Sequence, residues 1–91
     1  MVLTTKKRVT FVCNAPNAKK AAVAGSFNNW SASKHAMEKR KTDGCFACSI
    51  SLKPGRYEYK FVLNGGDWIT DPKAKEQCPD GKGGVNCVLH V

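Results

Sequence analysis

Tyr57-Glu58-Tyr59-Lys60-Phe61-Val62-Leu63, followed by Asn64-Gly65-Gly66-Asp67 and Trp68-Ile69-Thr70, decides the fold of this chain. The first segment alternates strictly. Tyr57, Tyr59, Phe61 and Leu63 face one way, and Glu58, Lys60 and Val62 face the other. A period of two marks a strand with one face on a core. Asparagine and glycine tolerate left-handed backbone, so the next four residues read as a hairpin turn. Trp68–Thr70 is then a short return strand, broken by Asp71-Pro72.

The same pattern extends outward. Lys53-Pro54-Gly55 is a turn with φ pre-set by proline. Before it, Cys45–Leu52 places Phe46, Cys48, Ile50 and Leu52 on one face. Thr42-Asp43-Gly44 closes a tight turn after Met37–Lys41, a polar edge strand. Ser26–Ser33 is a loop, and Lys20–Ala24 a short strand closed by Gly25. Asn14–Asn17 turns the chain out of a first strand, Lys7–Cys13, whose Val9, Phe11 and Cys13 share a face. Downstream, Lys73–Gly84 reads as a polar, glycine-rich loop and Asn86–Val91 as the last strand. No helical period of useful length occurs. About seven short strands with regular turns predict an all-β fold, an immunoglobulin-like antiparallel β-sandwich of the early-set type. At 91 residues, without repeat or linker, residues 1–91 form one domain.

Composition narrows the function. The formal net charge is +8, spread over small clusters such as Lys6-Lys7-Arg8 and Lys39-Arg40-Lys41. That balance either attracts an anionic polymer or membrane surface, or keeps a small domain soluble. No apolar run approaches the roughly 18 residues of a membrane span. The start, Met1 to Arg8, lacks the apolar stretch of a secretory leader, so a cytoplasmic protein is expected. Of five cysteines, Cys45 and Cys48 form a C-x-x-C. Positions i and i+3 of a strand point to opposite faces, and Cys78 to Cys87 is too wide for a second zinc knuckle. No metal site is expected, and the thiols read as small buried or half-buried groups in a reducing compartment. A Cys78–Cys87 bridge stays open at this level.

Chemistry concentrates on two residues. Trp30 ends Gly25-Ser26-Phe27-Asn28-Asn29-Trp30, and Trp68 follows the glycine-rich turn. A sandwich often buries one tryptophan in its core. Here both rings sit among turn formers, which places them at loop or strand ends, suited to stacking on a sugar or a base. Phe27 reads as the core anchor of the loop that carries Trp30. The seven carboxylates show no acid/base spacing, and there is no nucleophile elbow or phosphate loop, so an enzyme is not expected. His35 and His90 are isolated. Asn29-Trp30-Ser31 is formally a glycan acceptor, without meaning outside a secretory route.

Val23-Ala24-Gly25-Ser26-Phe27-Asn28-Asn29-Trp30, then Leu52 to Phe61, then Trp68-Ile69-Thr70-Asp71-Pro72, then Asn86 form an ordered set. It resembles the family 48 carbohydrate-binding modules, in particular the glycogen-binding domains of AMP-activated protein kinase β subunits. The likeness covers Arg8 to Val91. It implies a non-catalytic domain, without cofactor, that binds α-1,4-linked glucan. Trp30 and Trp68 would stack on glucose rings, while Lys60 and Asn86 would hydrogen-bond hydroxyls. Asn29, Lys82 and Gly84 would be further contacts. Lys82 and Gly84 stand where the kinase domain carries a leucine that projects through the sugar ring and a threonine. The hairpin, with both Gly65 and Gly66, is one residue longer. These departures loosen encirclement of a glucan and leave stacking intact.

Three functions compete. The first is glucan targeting or sensing. The second is a protein-interaction domain, docking on a kinase or a glucan-metabolising enzyme with a vestigial sugar site. The third, a basic nucleic-acid binder stacking bases on the tryptophans, is the least supported. Glucan binding is the expectation, with no membrane partner.

Overall fold

The computed structural model describes residues 5–91; residues 1–4, part of the start discussed above, lie outside the described residues. Eight strands follow in order: β1 (Lys7–Cys13), β2 (Ala21–Gly25), β3 (Ala36–Lys39), β4 (Phe46–Leu52), β5 (Arg56–Leu63), β6 (Asp67–Ile69), β7 (Glu76–Pro79) and β8 (Val85–His90). Every pairing is antiparallel, in the order β1-β4-β3-β2-β5-β8-β7, with β6 also on β5. This is the all-β sandwich expected, with one strand more than the sequence indicated.

Two elements differ from expectation. Met37–Lys41 was expected at an edge, but β3 is internal. Ala36 and Met37 pair with β2, while Glu38 and Lys39 pair with β4. One four-residue strand thus passes the sheet from one layer to the other. Only Met37 is buried, so so short a strand carries no legible alternation. The second difference is β7, which lies inside the presumed loop Lys73–Gly84. It is an edge strand with a mostly exposed face, so its composition is that of a loop. Its proline sits at the strand end, paired with Val85.

The core fills the space between the layers. Tyr59 and Phe61 on β5 meet Phe11, Val23, Phe46, Ile50 and Leu52 from the neighbouring strands. Phe11 stands edge-on to Tyr59 at 5.0 Å between centroids. The Tyr59 hydroxyl donates to Asp71 Oδ2 at 2.8 Å, which ties the segment after β6 to the core. Burial, and then the carboxylate it serves, push the Tyr59 phenol far above its ordinary range.

Register settles the cysteines. Cys78 pairs with Asn86 and Gln77 with Cys87, so Cys78 and Cys87 occupy opposite faces. No bridge joins them, and all five thiols are free. Among the described residues no cluster of metal-binding groups forms.

Candidate functional site

The site lies on the outer face of the layer built around β5. Because Tyr59 and Phe61 point inward, Glu58, Lys60 and Val62 point outward. Directly paired residues share a face. Val62 pairs with Trp68, Glu58 with Val88, and Cys78 with Asn86. Asn86 lies two residues from Val88, so Trp68, Lys60, Glu58, Asn86 and Cys78 all stand on one side. This face forms an open groove of about 590 Å³.

Trp30 reaches the groove from the loop after β2. The Gly25–Trp30 segment is wound tightly around the side chain of Asn28, which is only 5% exposed. Asn28 Oδ1 accepts the Gly25 and Ser31 N–H groups, at 3.0 and 3.2 Å. Its amide nitrogen donates to the Val23 carbonyl and to His35 Nδ1, at 3.0 and 2.9 Å. One buried amide therefore satisfies four partners and sets the loop. Asn29 and Trp30 then adopt left-handed backbone, with φ of 56° and 59°. Asparagine tolerates that conformation, whereas for tryptophan it costs about 1–2 kcal/mol. Backbone strain of this kind clusters at ligand-binding and switch regions.

Ser26 locks this loop to β5. Its N–H donates to the Glu58 carbonyl at 2.9 Å, and its hydroxyl accepts the Glu58 N–H at 3.1 Å. Gly25 makes the close approach possible. A Cβ there would lie 2.5 Å from the Glu58 carbonyl oxygen and 2.6 Å from Phe27 Cε2. Phe27 itself packs on Phe11 and Tyr57 beneath the loop, as the sequence indicated.

The groove floor is polar and charge-paired. Lys60 Nζ donates to Asp80 Oδ2 at 2.9 Å, with both side chains largely covered. Asp80 Oδ1 accepts the Lys82 and Gly84 N–H groups, at 2.7 and 3.0 Å. The Lys60 ammonium, then these two amides, hold the Asp80 carboxyl down at about 2. Glu58 Oε1 accepts from the Asn86 amide at 3.0 Å and from the Cys78 thiol at 3.1 Å. Its Oε2 accepts from Arg56 Nη1 at 2.9 Å. Asn86, Cys78 and Arg56 together lower Glu58 to about 2. Both carboxylates are therefore ionised acceptors throughout the neutral range.

Five of the residues singled out from sequence line this groove: Trp30, Lys60, Trp68, Asn86 and Lys82. Two do not. Asn29 is exposed outside the lining, its left-handed backbone turning the chain toward Trp30. Gly84 acts through its N–H on Asp80. Sequence reasoning missed Ser26, Glu58 and Asp80, which complete the lining. The alternation of β5 already put Glu58 beside Lys60. Nothing local in Asp80-Gly81-Lys82-Gly83-Gly84 announces a partner twenty residues upstream. The arrangement offers two aromatic surfaces, one of them 44% exposed in Trp68, flanking fixed donors and acceptors. A flat, hydroxylated ligand matches that set.

Residues 8–91 match the family model described as the glycogen recognition site of AMP-activated protein kinase. The chain is 32% identical to 5'-AMP-activated protein kinase subunit beta-2 of Rattus norvegicus, over 97% of this chain and 31% of that protein. It is 40% identical to the chloroplastic protein PTST homolog 2 of Arabidopsis thaliana, over 63% of this chain and 10% of that protein. It is also 34% identical to the 1,4-alpha-glucan branching enzyme GlgB 1 of Rhizobium johnstonii, over 70% of this chain and 9% of the enzyme. The chain thus spans less than a third of the length of these relatives.

Proposed function

The chain belongs to the family of glycogen recognition sites of AMP-activated protein kinase, and on that premise we propose that its groove binds α-1,4-linked glucan without catalysis. The observation that carries this reading is the convergence of Trp30, from the loop after β2, and Trp68, from β6, on one polar groove. Each ring covers the C–H patch of a glucose unit. Lys60, Asn86 and Lys82 donate to rim hydroxyls, and Glu58 and Asp80 accept from them. If each indole removes ~100 Å² of apolar surface from water, stacking yields ~2.5 kcal/mol per ring. A few hydrogen bonds add ~1 kcal/mol each, and association costs roughly 4 kcal/mol or more, so a single site binds in the micromolar-to-millimolar range. Such a domain works by tethering a larger assembly to a polymer with many sites.

The relatives support a wider setting. One is a kinase subunit and another a branching enzyme, so we read this domain as the targeting part of a kinase or glucan-metabolising assembly. Five free thiols fit a reducing compartment, and a cytoplasmic location is the reading they support. Affinity electrophoresis through glycogen, with maltoheptaose as competitor, tests the central claim. Retardation that maltoheptaose relieves is the expected result. Migration unaffected by glycogen would refute it.

A further inference from the structure

Lys60 is set apart from the other lysines. Among the described residues it is the one lysine whose ammonium is held in an ion pair, in a protein of formal net charge +8. The partner, Asp80, is itself fixed. One of its oxygens caps the turn through the Lys82 and Gly84 amides, and only the other faces Lys60. The Asp80 N–H closes the loop by donating to the Gly84 carbonyl at 3.1 Å. A Cβ on Gly84 would lie 2.8 Å from Asp80 Oδ2, so the glycine leaves that oxygen room to reach the lysine. On the same strand, Arg56 likewise pairs with Glu58.

The consequence is a groove whose lining charges balance, Lys60 and Lys82 against Glu58 and Asp80, on a strongly basic molecule; the Lys60 ammonium is paired, while that of Lys82 has no ion-pair partner among the described residues. A free ammonium would be a point-charge site for phosphate. An ammonium already paired retains hydrogen-bond donors but little net field. We propose that Asp80 is the specificity-determining residue of the groove: by holding Lys60 it selects uncharged glucan over glucan bearing phosphate. This rests on the glucan-binding reading above. It adds that the preference is set by one ion pair and not by the shape of the groove.

Asp80→Asn isolates the effect. The amide oxygen still accepts the Lys82 and Gly84 N–H groups, while the amide nitrogen in place of Oδ2 releases Lys60. Dissociation constants are measured calorimetrically for maltoheptaose and for maltoheptaose carrying one 6-phosphate. The wild-type protein should prefer the neutral ligand. Asp80→Asn should shift the ratio toward the phosphorylated one by about tenfold, a change comparable to one charge-assisted hydrogen bond, and salt should erase the gain. Lys60→Gln leaves the loop bonds of Asp80 in place and provides an independent reading. It should weaken the phosphorylated ligand by a larger factor than the neutral one. Ratios within about twofold of wild type in both variants, or equal losses in Lys60→Gln, would overturn the inference alone. Wild-type protein that binds neither ligand would overturn the glucan reading, and this inference with it.

Discussion

Trp68 and Val62 stand directly opposite each other across β5 and β6, Val62 with 1% of its surface exposed and Trp68 with 44%. The indole therefore has two tasks. One part flanks a buried valine, and the rest is open to the groove. Trp68→Ala is expected to cost about 1 kcal/mol of stability through the lost cross-strand pair, in addition to glucan affinity. Thermal unfolding and glycogen retardation, measured on the same sample, check both parts. Abolished retardation with an unchanged midpoint would assign Trp68 to binding alone.

Trp30 should behave in the opposite way. Its left-handed backbone is what glycine adopts without strain. Trp30→Gly is expected to abolish retention on glycogen while leaving stability equal to wild type or up to about 1 kcal/mol higher. A variant less stable than wild type by more than about 1 kcal/mol would mean that the indole is a packing element. Asn29→Gly serves as the control: glucan affinity should persist, since the side chain lies outside the lining. Loss of affinity there would make Asn29 a direct contact.

Gly25→Ala tests how the loop is seated. The added methyl would meet the Glu58 carbonyl oxygen and the Phe27 ring well inside contact distance. Displacing either opens the lock between Ser26 and Glu58. A loss of about 1–3 kcal/mol in denaturant unfolding is expected, with weakened glycogen binding. Wild-type stability would show that loop and strand are not held this closely.

Acid should act on the groove before neutral pH does. Glu58 and Asp80 titrate near 2 in the fold, below their ordinary values of 4.5 and 3.8. A carboxylate lowered on folding contributes stability that is complete above its unfolded value. That contribution is lost as pH falls toward 2. Stability should therefore hold steady above about pH 5 and decline below it, and Glu58→Gln should flatten the decline. A Glu58→Gln protein with the wild-type acid profile would show that these contacts do not form in solution.

Salt separates the surface from the groove. With a net charge of +8, any phosphate polymer held by the surface should dissociate steeply as salt rises. Glycogen binding through stacking and paired charges should change less than about twofold between low and high salt. A steep salt dependence for glycogen itself would favour a charge-driven site.

The sequence by itself determined most of the strands, the class of fold and the two tryptophans. Alternation in Tyr57–Leu63 and turn formers at Asn64–Asp67 are local signals, readable without neighbours. It did not disclose β7 or the internal place of β3, because edge strands and very short strands carry little hydrophobic period. Nor did it disclose Asp80, whose ion pair with Lys60, twenty residues upstream, depends on how distant segments are brought together. Only the folded sheet does so, by committing Tyr59 and Phe61 to the core and turning Glu58 and Lys60 outward.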